Sequence, residues 1–195
     1  APYAPIAHII REALAEPAGE LDLSDLVLAD LARLAPEIRQ RFPSLPENPP
    51  LGPQAEQQRL FDSVASACAA LIARGRQTGR GPAESPLLLV VEDIHWADGG
   101  TLAILRHLGR RSRTARLKLL LVLTYRESML DEARGLSEVV LDFTRERLAT
   151  HVKLGLFNRD QTAELLEVRF QQKIPPAFVD SVYAETEGNL FYIEE

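Results

Sequence analysis

Three charged side chains follow short apolar runs, at positions that a parallel sheet would bring together. Glu92 and Asp93 come directly after the run Leu87–Val91, and Arg126 lies shortly after the run Leu119–Leu123. In an open parallel sheet, ligands bind beyond the carboxyl ends of the strands. One carboxylate there can hold Mg²⁺, the next can orient an attacking water, and an arginine can stabilise a phosphate's charge. The pattern therefore favours hydrolysis of a nucleoside triphosphate.

Strand and helix patterns alternate in the part of the chain that carries these residues. The runs Leu87–Val91 and Leu119–Leu123 are continuous and apolar, which is typical of strands buried on both faces. Residues 152–156 alternate apolar and other side chains and predict a third strand. Helical spacing separates these runs, so we expect an α/β fold with a parallel sheet of three strands and flanking helices.

Helices are also expected on both sides of this region. Apolar residues at helical spacing predict helices over residues 6–14, 28–38 and 60–75, and Pro36 should kink the second or begin a new one. Residues 75–86 have the composition of an exposed connection. Asn158 can cap a helix with Gln161 as a capping box, and another helix should run from about Pro176 to Gly188.

Composition excludes several classes of protein. The formal charge of −6 and the pI of about 5.3 argue against direct nucleic-acid binding, which usually needs a basic surface. No apolar run reaches the length of a membrane span, and no signal peptide is recognisable, so we expect no membrane contact. The single cysteine, Cys68, allows no intramolecular disulfide and fits a cytoplasmic location, with burial as its expected role.

Three motifs carry a resemblance to a known family. Residues 87–98, LLLVVEDIHWAD, resemble the Walker B strand of the STAND ATPases, which are AAA-like P-loop NTPases of large LuxR-type transcriptional regulators and cyclase-linked signalling proteins. Residues 123–126, LTYR, resemble the family's first sensor motif. Residues 188–195, GNLFYIEE, resemble its Gly-Asn-Pro-Phe-Phe-Ile-Glu-Glu segment. Order and spacing agree over roughly residues 85–195.

The resemblance assigns roles to five residues. Glu92 would be the acid linked to Mg²⁺, and Asp93 the catalytic acid, itself close to the metal. Arg126 would be the sensor arginine, while Gly188 and Asn189 would help to shape the nucleotide pocket. ATP and Mg²⁺ are the implied cofactors. The chain departs from the family pattern at Leu190, where the family has proline. This position would lie on the adenine side of the nucleotide.

The implied function is ATP binding and slow hydrolysis in a regulatory switch of signal transduction or transcription regulation. Flanking sensor and output domains would be its partners. No G-x-x-x-x-G-K-[ST] motif occurs in the chain, and that loop cradles the phosphates. We therefore expect residues 1–157 to be a P-loop NTPase core without its Walker A strand and loop, and residues 158–195 to begin a helical lid. Such a chain should be weak or inactive alone, and its exposed strand edge could self-associate.

Other interpretations of the same residues stay open. The fold could serve as a catalytically silent interaction or scaffold module. Glu92 and Asp93 could simply end a strand, or could join His95 and Asp98 in a zinc or two-metal site. Arg126 could be an ordinary ion-pair partner.

Four further residues have simpler interpretations. Trp96 is expected to be a packing residue rather than a stacking platform for a base, and Asp98 to cap a helix. Gly188 and Asn189 could merely end one helix.

Overall fold

The computed structural model describes residues 2–15, 21–77, 86–130, 132–133 and 135–194. The chain divides into two compact units, residues 1–150 and 151–195, and each is described by itself. Within the described ranges, no helix is long and apolar enough to cross a membrane. Most of the predicted connection over residues 75–86 lies outside these ranges.

Six helices and two strands of the described residues build the first unit. In chain order they are α1 (Ala4–Ala15), α2 (Asp25–Leu31), α3 (Glu37–Arg41), α4 (Pro53–Gln77), β1 (Leu87–Val91), α5 (Gly99–Thr114), β2 (Leu119–Leu123) and α6 (Leu136–Arg145). Pro36 directly precedes α3, so the expectation of a new helix there is confirmed. Helix α4 begins earlier than predicted because Pro53 suits the first turn, where its missing N–H is not needed.

A buried ion pair holds α2 against α4. Asp30 is 1% exposed, and both of its carboxylate oxygens accept from Nε of Arg59, at 3.1 and 3.0 Å. The hydroxyl of Ser63 donates to the same carboxylate at 3.2 Å. A buried charge needs such partners because desolvation disfavours it. This pair fixes the register between the two helices.

The sheet consists of β1 and β2, which pair in parallel with Leu87 opposite Leu119 and Val91 opposite Leu123. Only one of its faces is covered. Leu89 and Val91 of β1 pack into the core, whereas Leu88 is 56% and Val90 48% exposed. The prediction that both faces are buried is therefore wrong for β1, because within the described residues helices cover a single face of the sheet.

The predicted third strand is also wrong. The described residues form a sheet of two strands, and residues 152–156 have no regular secondary structure. Val152, Leu154 and Leu156 are 72%, 89% and 65% exposed. A strand exists only where a neighbour pairs with its backbone, and the alternating pattern of this segment cannot supply that neighbour. The fold is thus α/β, mostly helical, with two parallel strands, which is consistent with a partial P-loop-like domain.

Helix α5 joins the sheet to the rest of the core. Ile104, Leu105 and Leu108 on its inner face are fully buried. Salt bridges from Arg106 to Asp142 and from Arg110 to Glu146 link its outer side to α6. These contacts hold α5 against the core on one side and against α6 on the other.

Cys68 lies in the same core, on α4. It is buried as expected, and burial raises the pKa of its thiol to about 11. Burial and the raised pKa both argue against a nucleophilic role for this thiol.

The second unit contains α7 (Arg159–Phe170), α8 (Pro176–Thr186) and α9 (Leu190–Glu194). Leu166, Val179 and Ile193 form its small core, one residue from each helix. The predicted capping box is confirmed: Asn158 accepts from the backbone of Gln161, and the side chain of Gln161 accepts from the backbone of Asn158. Helix α9 was not predicted.

Candidate functional site

Thr124 joins the carboxyl ends of the two strands. Its amide donates to the Val91 carbonyl at 3.1 Å, and its own carbonyl accepts from Ile94 at 2.9 Å. Its hydroxyl accepts from the amide of Asp93 at 3.0 Å. Thr124, the first residue after β2, therefore ties the turn after β1 to the end of β2. Sequence reasoning did not single out Thr124, although its position directly after β2 was the available signal.

The two acidic residues lie on this turn. Asp93 has φ 52° and ψ 43°, a left-handed conformation that costs a non-glycine residue about 1–2 kcal/mol. The hydrogen bonds through Thr124 and Ile94 hold the backbone in it. Both acidic side chains are exposed, and the side chain of Asp93 is 62% accessible. The turn thus presents Glu92 and Asp93 outward at the end of β1.

His95 is a buried link between the two turns. Its side chain is fully buried, with Nδ1 3.8 Å from Oδ1 of Asp93. The same Nδ1 accepts from the backbone amide of Arg126 at 3.4 Å. The other ring nitrogen, Nε2, is buried and has no hydrogen-bond partner among the described residues. Sequence reasoning considered His95 only as a metal ligand, because nothing in the pattern indicates a contact to residue 126.

The backbone amide of Arg126 places this residue beside the acidic turn, through its hydrogen bond to His95. Its side chain is exposed, and among the described residues no carboxylate lies within 4.0 Å of its guanidinium. The interpretation as an ordinary ion-pair partner therefore finds no support in the described part of the chain. The guanidinium is available to a ligand.

An open cleft of about 640 Å³ lies beyond the end of β1. Glu92, Asp93, Trp96 and Asp98 line it, together with apolar atoms of the N-terminal segment. Trp96 is 75% exposed, and its ring centroid lies 5.1 Å from that of His95. Trp96 packs on His95 with one side of its ring, but most of the indole is exposed because the short 3-10 turn over Ile94–Trp96 buries His95 and turns the indole outward.

Asp98 caps α5, as expected. Its Oδ1 accepts from the amides of Gly100 and Thr101 at 2.9 and 3.0 Å. Its Oδ2 accepts from the Thr101 hydroxyl at 2.6 Å and from the amide of Tyr3 at 2.9 Å. Partial burial alone would raise the pKa of Asp98, but these four hydrogen bonds outweigh it and hold the pKa below its usual range.

Gly188 and Asn189 have local roles in the second unit. Gly188 has φ 78°, and its carbonyl accepts from the amide of Phe157 at 2.8 Å. A Cβ at this position would lie 1.8 Å from the carbonyl oxygen of Phe157, so only glycine fits. The side chain of Asn189 accepts from the amide of Phe191 at 3.1 Å, at the start of α9. The backbone geometry between α8 and α9 therefore accounts for the glycine at position 188 and the asparagine at position 189. A role of either residue in nucleotide binding stays a prediction.

The donor set at the strand ends suits Mg²⁺ better than zinc. Among the described residues, no group of three or more histidine, cysteine, aspartate or glutamate side chains could hold a metal ion. A zinc site needs such a group. Magnesium usually takes one or two carboxylates together with substrate phosphates and waters, and the exposed Glu92 and Asp93 fit that requirement.

The parallel strand pair and its acidic turn are consistent with a partial P-loop ATPase-like domain. The profile of the AAA ATPase domain family matches residues 1–122, so the chain belongs to that family. The match includes Glu92, Asp93 and Asp98, and it ends before Arg126, Gly188 and Asn189. No curated protein and no solved structure matches the chain.

Replacing Asp98 by alanine should lower the free energy of unfolding by about 1–2 kcal/mol at pH 7, because α5 loses its N-cap. Asp98→Asn keeps an acceptor but loses the charge, so its deficit should be smaller. The charge contribution is complete above about pH 4, the ordinary pKa of aspartate in an unfolded chain, and is lost as pH falls through the lowered folded pKa. Urea unfolding across pH measures both effects. Asp22 is an exposed aspartate and serves as the control. A loss of stability in Asp22→Asn equal to that in Asp98→Asn would contradict the assignment of Asp98 as the charged N-cap.

Gly188→Ala should destabilise the second unit by more than about 2 kcal/mol, because its Cβ collides with the Phe157 backbone and its φ is positive. Gly155→Ala is the matched control in the same unit, since a Cβ there meets nothing within 4 Å. Amide exchange of α8 and α9 measures the effect. Equal exchange rates in the two variants would show that the Gly188 contact is absent.

Proposed function

We propose that this chain carries the Walker B part of an ATP-binding and ATP-hydrolysing regulatory switch of the STAND class. The observation that carries the proposal is the exposed pair Glu92–Asp93 on a left-handed turn at the end of β1. The backbone of Arg126 lies beside that turn, through His95. Membership of the AAA ATPase domain family supports the nucleotide as ligand.

Each of the three charged residues then has a chemical task. Glu92 would hold Mg²⁺, with Asp93 close to the ion. When bound, the ion neutralises charge on the β- and γ-phosphates. Asp93 would orient the attacking water in line with the γ-phosphate, and Arg126 would stabilise the negative charge of the transferred group.

Regulation would follow from the nucleotide state. We assign residues 158–195 to the start of a helical lid, with Gly188 and Asn189 helping to shape the nucleotide pocket. A ligand that binds one arrangement of lid and core more tightly shifts the population toward it. Flanking sensor and output domains of a LuxR-type or related cytoplasmic signalling regulator would respond to that shift.

Hydrolysis in the natural polypeptide that contains these residues tests the proposal. Asp93→Asn should leave the Kd for Mg·ATP within a few-fold and lower kcat by about 10²–10⁴-fold, because only the orientation of water is lost. The 195-residue chain alone should bind Mg·ATP weakly or not at all, since it contains no phosphate-binding loop motif. Titration calorimetry and phosphate release provide the measurements.

Asp22→Asn, at an exposed aspartate remote in sequence from the strand ends, is the control for that experiment. Unchanged hydrolysis in Asp93→Asn would remove Asp93 from the mechanism. Sub-micromolar affinity of the isolated chain would contradict the need for a phosphate-binding loop. If the natural polypeptide binds no Mg·ATP, the fold serves as an interaction module.

The second candidate, a silent interaction module, is favoured by the bare sheet face. Leu88 and Val90 of β1 and Leu120 and Val122 of β2 are exposed side by side, from 38% to 56%. An exposed apolar face with open strand edges is prone to pair with another chain. The exposed segment of residues 152–156 is a candidate strand for such pairing.

The isolated chain should self-associate by pairing the segment of residues 152–156 with an open strand edge of another copy. Light scattering with size-exclusion chromatography should give a mass that rises with concentration, and Leu154→Lys should shift the chain toward the monomer because a charged strand resists pairing. Leu26→Lys is the matched control, since Leu26 is 51% exposed on α2. A monomer at every concentration, or an equal effect of both variants, would contradict the expectation.

A further inference from the structure

The imidazole of His95 lies between the acidic turn and the arginine turn. We propose that His95 is a positioning residue, which fixes the spacing between the Asp93 carboxylate and the Arg126 turn during ATP hydrolysis. The inference rests on the proposed function and deepens it, because it names the side chain that makes the two turns one site. Its basis is the geometry of a single atom, Nδ1.

His95 acts through its neighbours because it has no access to a ligand. Its side chain is fully buried and it does not line the cleft, although Ile94 and Trp96 on either side do. A buried histidine ring fills a defined volume, and the Trp96 ring packs on it with a centroid distance of 5.1 Å. The ring orientation is therefore set by packing, before any nucleotide binds.

One nitrogen of this ring contacts both turns. Nδ1 accepts from the Arg126 amide at 3.4 Å and lies 3.8 Å from Oδ1 of Asp93. The hydrogen bond from the Arg126 amide needs an unprotonated Nδ1, whereas the Asp93 oxygen is itself an acceptor and is only a neighbour of that nitrogen, with no hydrogen bond between them. Replacing the ring by an apolar side chain would remove the acceptor of the Arg126 amide and the polar neighbour of Asp93 in one step.

Thr124 holds the same two turns together independently of His95. Its hydroxyl accepts from the Asp93 amide, and its backbone pairs with Val91 and Ile94. Loss of His95 should therefore shift the side chains at the ends of β1 and β2 without separating the strands. A displacement on the order of 1 Å at such a site lowers a rate by about 10²-fold.

Three substitutions separate this role from simple packing. His95→Asn keeps an acceptor where Nδ1 lies, because the asparagine amide oxygen reaches about that position. His95→Gln carries its amide one carbon further, and His95→Leu has no acceptor. In the natural polypeptide, Gln and Leu should lower kcat at least about tenfold with the Kd for Mg·ATP within about threefold. Asn should recover kcat to within a few-fold of wild type.

A second readout requires no activity. In the isolated chain, amide hydrogen exchange at Arg126 should be slow in wild type and His95→Asn, and faster in His95→Leu and His95→Gln. If the natural polypeptide hydrolyses no ATP, the proposed function fails, and this exchange pattern still decides whether His95 joins the turns.

Two results would overturn the inference. In the first, His95→Leu retains wild-type kcat or wild-type exchange at Arg126. In the second, His95→Asn loses as much as His95→Leu in both readouts, which would mean that ring packing alone matters.

Discussion

The parallel pairing of β1 with β2 is the constraint on which the rest of the structure depends. It brings two segments that are distant in sequence to one edge of the sheet, with Val91 opposite Leu123. Thr124 extends the pairing past the strands and holds Asp93 in a left-handed turn that the chain would otherwise disfavour. Backbone pairing therefore positions the site. The carboxylates of Glu92 and Asp93 lie there because they come directly after β1 in the sequence.

The helices around the strands serve this arrangement. Asp98 ends the acidic turn, begins α5 and accepts from the amide of Tyr3, so one carboxylate connects the strand end, the helix start and the N-terminal segment. The inner face of α5 then packs behind the sheet through fully buried residues such as Leu105. Helix capping and core packing thus fix the direction in which Glu92 and Asp93 leave the strand.

Local patterns in the sequence predict the strand bounds, the helix caps and one helix start correctly, because these features depend on residue types at short spacing. The strand bounds, the caps at Asp98 and Asn158 and the helix beginning after Pro36 follow from residue types at short spacing, and the structure agrees. Glu92 and Asp93 were identified in the same way, from their position after an apolar run. Their chemical roles and that of Arg126 stay predictions.

The features that sequence reasoning missed depend on contacts between distant segments. A strand at residues 152–156 needs a partner, and Trp96 is exposed because the turn buries its neighbour His95 instead. The link from His95 to the Arg126 amide exists only once β1 and β2 are paired. No local period in the chain carries that information.

The most direct test of the account is to locate the divalent ion. A crystal of the natural polypeptide with Mn²⁺ and a non-hydrolysable ATP analogue gives the ion's position from its anomalous scattering. The account predicts a peak about 2 Å from a carboxylate oxygen of Glu92 or Asp93, or about 4 Å away through one water. A bound nucleotide whose ion lies elsewhere, with both carboxylates facing solvent, would contradict it.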